Sequence, residues 1–355
     1  MGSPVGRNKA ATPVVMRTIG RRRWLKIGLL LTLLGGGLLG YTVYDYRRFL
    51  ATPLAVPEAG VEFTIATGES IKTIAHRLRE QGVLRSSLYW QAHARLAGLA
   101  PRIKAGEYLL QPDATPRTLL EQFVAGRVIQ YPLTIVEGWT FHQLLQAVAG
   151  HPKLKQTLTG LDDAAIMARL GYPEQHPEGR FFPDTYYFPA GASDVDFLKR
   201  AYVTLERRLQ EAWEQRSPGL PLQNPYQALV LASIVEKETG RPEERREIAG
   251  VFVRRLQKGM LLQTDPSVIY GLGDRFDGNL RRQDLRADTP YNTYTRSGLP
   301  PTPIALPGAA SIEAAVRPAQ GDSLYFVATG AGGHVFSRTM EEHNQKVRQY
   351  QSQRH

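Results

Sequence analysis

The carboxylates of Glu236 and Glu238 are the groups in this sequence best suited to acid–base chemistry. They follow an apolar run, residues 228–235, whose composition predicts a helix that is buried for two turns. Burial raises the pKa of a carboxyl group and keeps it protonated near neutral pH, as a general acid requires. A solvated carboxylate without a catalytic role is the alternative for any single glutamate at a helix end.

Only one of these glutamates can face a given cavity, because residues two apart are separated by about 200° around a helix. Small residues lie one turn before Glu236 and leave room for a substrate, so the pattern favours Glu236 as the catalytic residue. Glu238 is close in sequence to Arg241 and Arg245, and we expect it to form an ion pair with one of them.

A segment rich in glycine, proline and tyrosine, residues 262–308, follows these glutamates. Its prolines predict a rigid extended loop, and long irregular loops inside compact domains are often functional. Tyrosine rings stack on sugars, while hydroxyl and amide groups bond to the sugar substituents. A plain structural loop is the alternative. The candidate substrate-binding residues are Gln263, Thr264, Asp265, Tyr270, Tyr291, Asn292, Thr293 and Tyr294.

Other chemistry is weakly supported by the sequence. Asp265 is the nearest candidate for a second catalytic carboxylate, although a capping or orienting role suits it better. His334 and His343 are too isolated to predict a metal site, and they either line the cleft or are ordinary polar residues. The chain has no cysteine, which excludes disulfides, thiol nucleophiles and cysteine-ligated metals. We expect no metal and no cofactor.

The N-terminal region predicts a membrane anchor. Residues 27–44 carry no charge, and seven Lys or Arg residues precede them with no acidic residue among them. A helix of that length spans about 27 Å, close to the hydrocarbon thickness of a bilayer, and the basic leader indicates a cytoplasmic N-terminus. A cleaved signal peptide and a buried helix are the alternatives. The net charge of +11 is concentrated in this leader, so nucleic-acid binding is not expected.

The predicted fold class is α+β, in five segments. These are a cytoplasmic leader (1–26), a transmembrane helix (27–46), an extended stalk (47–60), a small α+β region (61–130) and a mainly helical catalytic domain (131–355) with a long Pro/Gly-rich loop. In the catalytic domain we expect three long helices at 195–216, 225–239 and 242–259.

The small region predicts a repeated strand–turn–helix unit. A strand at 61–65 leads through Gly68-Glu69-Ser70 into a helix at 71–81, and echoes follow at 105–120 and 133–148. The pattern resembles the LysM peptidoglycan-binding module. The region therefore either contacts glycan or acts as a structural spacer.

Four motifs in fixed order resemble the endolytic murein transglycosylase family of bacterial inner membranes. They are ASIVEKET (232–239), LQTDPSVIYG (262–271), YNTY (291–294) and GLPPTPIALPG (298–308). The resemblance extends upstream to EGRFFPDTYYF (178–188) and downstream to Glu342-His343-Asn344. It implies peptidoglycan glycan strands as the substrate, peptidoglycan synthases (penicillin-binding proteins) as partners, and a catalytic domain outside the inner membrane.

The resemblance also implies that Glu236, the first glutamate of EKET, is the acid and base of a lytic transglycosylase. Such an enzyme needs one carboxylate, because the muramyl C6 hydroxyl of the substrate replaces water as the nucleophile. Two other hypotheses remain open. One is a noncatalytic wall tether, and the other is a retaining hydrolase that uses Glu236 and Asp265 as its two carboxylates.

Overall fold

The structure, a computed structural model, describes residues 1–2, 19–330 and 332–351 and contains two structural units, Met1–Ile129 and Gln130–His355. Both units combine helices with small two-stranded antiparallel sheets, so the predicted α+β class is confirmed at this level. Most of the predicted basic leader, residues 3–18, lies outside the described residues.

The described residues of the first unit form four α-helices and two strands. They are α1 (Ile19–Ala51), β1 (Val61–Ile65), α2 (Ile71–Glu80), α3 (Ser87–Leu96), β2 (Gly106–Leu110) and α4 (Pro116–Ala125). Within α1, the stretch Trp24–Ala51 is long and apolar enough to cross a membrane, judged by length and composition. The predicted transmembrane helix, 27–46, lies inside this stretch.

The stalk predicted for residues 47–60 is wrong in its first half. Helix α1 continues to Ala51, and Phe49, Leu50 and Leu54 are buried in the core of the first unit. The backbone N–H of Leu54 donates a hydrogen bond to the carbonyl of Ala114 at 2.7 Å. Three large apolar side chains offset the extended tendency of the neighbouring prolines, which alone suggested an unpacked segment.

The strand–turn–helix unit predicted from residue 61 is present. The alternation of Val61, Phe63 and Ile65 turns these side chains towards the core, and β1 pairs antiparallel with β2 so that Phe63 lies opposite Tyr108. The Ser70 side chain then accepts a hydrogen bond from the backbone N–H of Thr73 and caps α2. The resulting order is strand, two helices, strand; whether this region contacts glycan stays a prediction.

The second unit is mainly helical. Its elements are β3 (Tyr131–Thr134), α5 (Phe141–Ala149), α6 (Asp163–Leu170), β4 (Thr185–Phe188), α7 (Asp194–Glu214), α8 (Pro225–Glu238), α9 (Arg245–Gln257), α10 (Asp265–Leu272), α11 (Arg282–Arg286), α12 (Ala309–Val316), β5 (Tyr325–Ala328), β6 (His334–Ser337) and α13 (Met340–Gln351). Helix α8 is the centre of its larger core, where it packs against α7, α9 and α12. The three helices predicted for this unit correspond to α7, α8 and α9, although a 3₁₀ turn over Pro242–Glu244 precedes α9.

The predicted Pro/Gly-rich loop is partly helical. Helices α10 and α11 lie inside it, and residues 287–308 are the longest part that is free of helix and strand. Pro266 occupies the first turn of α10, where a missing N–H breaks no helical hydrogen bond. The proline that suggested a loop is therefore compatible with the helix that forms.

Phe123 is the residue on which we test the core of the first unit, because its ring contacts those of Phe63, Trp90 and Tyr108. We expect Phe123→Ala to lower the free energy of unfolding by about 3–5 kcal/mol, the usual effect of removing a buried aromatic ring. Leu109→Ala, at a side chain that is 37% exposed, should change it far less. Urea denaturation in detergent, followed by tryptophan fluorescence, measures both, and equal midpoints would contradict this packing.

Candidate active site

The helix that carries the two glutamates is fixed along its whole length. The Asn224 side chain caps α8 by accepting a hydrogen bond from the backbone N–H of Gln227 at 3.0 Å, and Pro225 occupies the first helical position. Every residue from 228 to 235 is buried. The rotation of the last turn is therefore set by core packing, which determines what each glutamate faces.

Glu236 faces a network of charges and does not line the cavity beside Glu238. One carboxylate oxygen accepts a hydrogen bond from Arg245 at 3.2 Å, and the other accepts one from the backbone N–H of Gly308 at 2.9 Å. Glu137 lies on the other side of Arg245, at 3.6 Å. A Cβ atom at position 308 would lie 1.8 Å from the Glu137 carboxylate, so a larger residue there would displace the Glu137 side chain. Glu236 thus connects α8 to α9 and to the start of α12.

Glu238 faces the opposite way, and its side chain accepts a short hydrogen bond from the hydroxyl of Thr264. The ion pair predicted for Glu238 is wrong in the case of Arg245, which binds Glu236 instead. Burial raises the pKa of the Glu238 carboxyl to about 7; the Thr264 hydrogen bond opposes this shift and the negative charge of Asp265 reinforces it. Glu238 therefore has the protonation behaviour that the sequence led us to expect of Glu236.

A cavity of about 360 Å³ opens beside Glu238. It is bordered by polar and aromatic side chains from α8, α9, α10, β5 and α13 and from the segments before α10 and after α11. These residues are Glu238, Arg255, Leu262, Gln263, Asp265, Tyr294, Tyr325, Phe326, Met340, His343 and Asn344. A protonated carboxyl group thus meets an open cleft with aromatic faces, hydrogen-bonding groups and one cation.

The segment before α10 holds its side chains in place through an unusual backbone. Gln263 has a φ of 51°, and it is the one non-glycine residue with positive φ in the described part of the chain. Such strain persists where surrounding contacts enforce it, and it is common at functional sites. Here the backbone N–H of Gln263 donates to the carbonyl of Thr293 at 3.1 Å, and that of Thr264 donates to the Thr293 hydroxyl at 3.0 Å.

The predicted binding residues divide into two groups. Gln263 and Asp265 line the cavity beside Glu238, with Tyr294 donating a 2.6 Å hydrogen bond to Asp265, and Thr264 binds Glu238 itself. The other four predicted residues do not line this cavity: they are Tyr270, Tyr291, Asn292 and Thr293.

These four residues hold the surrounding segments together. Tyr270 donates a hydrogen bond to the buried carboxylate of Glu178, and burial raises the pKa of both side chains, that of Glu178 to about 7. The Tyr291 hydroxyl bonds to Thr302, and the Asn292 amide donates to three backbone carbonyls between residues 284 and 287. Their side chains resemble sugar-binding groups in type, but their hydrogen bonds are made inside the protein.

The far wall of the cavity comes from the C-terminal part of the chain. The rings of Tyr325 and His343 stack at 5.4 Å, and Arg255 lies over Tyr325. Burial lowers the pKa of His343, with Arg255 and Lys346 acting in the same direction, so its ring is neutral near pH 7. His343 is thus a cleft residue, one of the two roles left open for it from sequence.

His334 is placed differently from His343, since its ring bonds to Glu244 at 2.8 Å and does not line the cleft. Sequence reasoning missed Arg255 and Tyr325 altogether, although the motif Glu342-His343-Asn344 gave a signal for this wall. In the described residues, no group of three His, Asp or Glu side chains is arranged to hold a metal ion.

Comparisons with known proteins support one another. A family model described as the YceG-like family matches residues 63–349. The chain is 32% identical over 307 residues to the endolytic murein transglycosylase of Bacillus subtilis strain 168, with 82% of this chain and 84% of that protein covered.

A second sequence relative and a solved structure are also similar to this chain. An endolytic murein transglycosylase from Streptococcus pneumoniae strain D39 is 28% identical; the match covers 90% of this chain and 63% of the length of that relative. A crystal structure of a yceG-like protein from Listeria monocytogenes matches with a TM-score of 0.54 at 31% identity, covering 81% of this chain and 99% of that one.

The raised pKa of Glu238 predicts a pH-dependent stability effect. Its pKa rises from an ordinary 4.5 to about 7 on folding, so the cost of ionising it is absent below pH 4.5 and complete above pH 7. We expect Glu238→Gln to remove this cost, at most about 3 kcal/mol, and so to raise the Tm at pH 8 with little change at pH 4.5. Calorimetry at both pH values measures the effect. A Tm gain that is equal at both would contradict the assignment.

Proposed function

The chain belongs to the YceG-like family, and on that premise we propose that it is an endolytic transglycosylase that cleaves the glycan strands of peptidoglycan. The observation that carries the proposal is the position of the Glu238 carboxyl group, whose pKa burial raises to about 7, at the edge of an open, aromatic-lined cleft. General acid catalysis requires this combination of access and a pKa near the working pH.

The reaction proceeds with Glu238 as both acid and base. The neutral carboxyl group donates its proton to the glycosidic oxygen between N-acetylmuramic acid and N-acetylglucosamine, and the bond from that oxygen to muramyl C1 breaks. The Glu238 carboxylate then takes the proton from the muramyl C6 hydroxyl as its oxygen bonds to C1. The products are a free N-acetylglucosamine hydroxyl end and a 1,6-anhydromuramyl end, and no water is consumed.

Glu238 is preferred to Glu236 on the basis of their contacts. Both oxygens of Glu236 already accept hydrogen bonds, one from the Arg245 guanidinium and one from the backbone N–H of Gly308. Among the described residues, the carboxyl group of Glu238 has no ion-pair partner, and it borders the cavity. The sequence-based assignment of the acid to Glu236 stays a prediction that competes with this one, and the mutants described below separate the two.

The remaining cleft residues have roles in binding the substrate. We assign sugar contacts to Gln263, Tyr294 and the Tyr325–His343 pair, and Thr264 positions the acid by bonding to it. Asp265 lines the same cavity, which keeps a two-carboxylate hydrolase as the second candidate. Its hydrogen bond from Tyr294 favours an orienting role over that of a nucleophile.

The proposal includes the location of the enzyme, which is anchored in the inner membrane. Helix α1 spans the inner membrane once, with the basic leader in the cytoplasm and the chain that follows α1 outside, in line with the apolar stretch Trp24–Ala51. In that position the enzyme meets glycan strands as they are made, works beside peptidoglycan synthases, and ends strand elongation by cutting. The strand–helix–helix–strand region, 61–110, is the part that we assign to binding glycan.

The first test is a pair of matched substitutions on α8. We expect Glu238→Gln to lose at least about 10²-fold in turnover, because Gln cannot transfer a proton. Glu236→Gln should retain turnover within about threefold, since Glu236 supplies no proton, but it should lower the Tm because it weakens the bond to Arg245, a side chain that is 9% exposed. Digestion of purified sacculi and calorimetry measure the pair. The reverse pattern of activities would assign the acid to Glu236.

The second test concerns the products. Wild-type digestion should release anhydromuramyl ends, whereas a hydrolase that uses Glu238 with Asp265 would release reducing ends. Asp265→Asn should keep the anhydromuramyl product at a reduced rate, because a neutral amide oxygen accepts the orienting bond from Tyr294 more weakly than a carboxylate and no nucleophile is lost. Mass spectrometry of the fragments distinguishes the two reactions, and the absence of any product would support a noncatalytic tether.

The third test is the pH dependence of turnover. Activity should fall as the pH rises through about 7, because the acid form of Glu238 is then lost. Thr264→Val removes a hydrogen bond that favours the charged carboxylate, so it should move this alkaline limb to higher pH. A pH–rate profile of both proteins measures the shift, and movement to lower pH would be incompatible with Glu238 as the acid.

A further inference from the structure

Helix α3 and the residue before its cap are held against the C-terminal end of α1 by a set of specific contacts. Asp45 binds Arg85 at 2.8 Å, the Tyr46 hydroxyl bonds to His93 at 2.9 Å, and the Tyr89 ring packs edge-on against Tyr46. Phe49 packs against Tyr89 as well, with its own side chain buried in the core of the first unit. The height of α3 along the axis of α1 is therefore fixed by packing.

This height is close to the end of the apolar part of α1. The uncharged stretch ends at Tyr44, and Tyr46, which contacts α3, lies about 3 Å further along the helix axis. A helix with its side chains has a radius of about 5–6 Å, so side chains on α3 reach the level at which α1 leaves the hydrocarbon. An exposed apolar side chain of α3 close to these contacts is then within reach of the membrane interface.

Helix α3 carries exposed apolar side chains. Leu88, Ala92 and Leu96 are four residues apart and share one side of α3, which we call the α3 stripe. Leu88 is 69% exposed and Leu96 is 84% exposed, among the most exposed large apolar residues of the first unit outside α1. The stripe is about 100° around the helix from Tyr89 and His93, so it flanks the contact with α1.

Arginine side chains near the α3 stripe are also suited to the lipid headgroup layer. Arg47, Arg48 and Arg95 are exposed, and the Arg85 side chain is 62% exposed beside its partner Asp45. An apolar stripe bordered by arginines is the pattern of helices that lie in the headgroup layer, where the apolar side meets acyl chains and cations meet phosphates. These arginines lie just beyond the predicted outer end of the span.

We propose that the α3 stripe lies in the outer headgroup layer of the bilayer that α1 crosses, so that the first unit is seated on the membrane surface. This inference rests on the proposed anchor. The occupant of the stripe is lipid, because α1 carries the stripe to the interface at a height that the contacts with Tyr46 and Phe49 determine.

The chain has no cysteine, so single cysteines can report the position of each side chain without further substitutions. The full chain is placed in nanodiscs of phosphatidylethanolamine and phosphatidylglycerol, with a bimane label at Leu88→Cys or Leu96→Cys and spin-labelled lipids as quenchers. Leu109→Cys is the matched control, because Leu109 is partly exposed beside Gly60, beyond the end of α1. Leu34→Cys, with a quencher deep in the acyl chains, reports insertion of α1.

We expect headgroup-level quenchers to act on Leu88→Cys and Leu96→Cys at least about twofold more strongly than on Leu109→Cys, as expected for side chains at the membrane interface. If Leu34→Cys is quenched but either stripe label is quenched no more than the control, the inference is overturned and the stripe is open to a protein partner. If Leu34→Cys is not quenched, the anchor itself fails, a separate result that involves neither Glu238 nor the cleft.

Discussion

The burial of α8 is the constraint on which the second unit depends. Eight consecutive buried residues, 228–235, leave this helix no freedom to rotate among α7, α9 and α12. The direction of every side chain in its last turn follows from that packing. Because the two glutamates there are two residues apart, one points to Arg245 and Gly308 and the other to Thr264 and the cleft.

The two carboxylates show how environment separates identical groups. Glu236 lies between a guanidinium and a backbone N–H at the start of α12, and each donates a hydrogen bond to one of its carboxylate oxygens. Glu238 is buried with a hydroxyl as its hydrogen-bond partner and a second acid nearby, so its neutral form is favoured. One glutamate thus joins three segments of the fold, and the other retains a proton that it can donate.

Sequence reasoning recovered the elements and the family but not the direction of the last turn of α8. Its four motifs identified the family, which the family model and the Bacillus relative confirm. The apolar run 228–235 predicted α8 to within one residue, because burial on all sides leaves a clear compositional signal. The choice between Glu236 and Glu238 depends on contacts with Arg245, Gly308 and Thr264, and no local pattern contains those contacts.

The same limit applies to the loop and the stalk. Tyr270 and Asn292 have side chains of the sugar-binding type, yet their partners, Glu178 and three backbone carbonyls, are internal. In the predicted stalk, the prolines indicated an extended, unpacked segment. The fold nevertheless buries Phe49, Leu50 and Leu54. The far wall of the cleft comes from residues some ninety positions after Glu238, a distance over which periodicity carries no information.

The continuity of α1 with the first unit has a consequence for protein engineering. A flexible linker would let any anchor replace the native one, since the linker would absorb the difference in length and angle. Here there is no such joint between Tyr46 and the core, because Phe49 and Leu50 belong to both. Each residue added within α1 would turn the first unit by about 100° about the helix axis and raise it by about 1.5 Å. Only insertions or deletions that amount to whole helical turns would therefore keep the same side of the first unit facing the same direction. The anchor must match in its rotation about the helix axis as well as in its length.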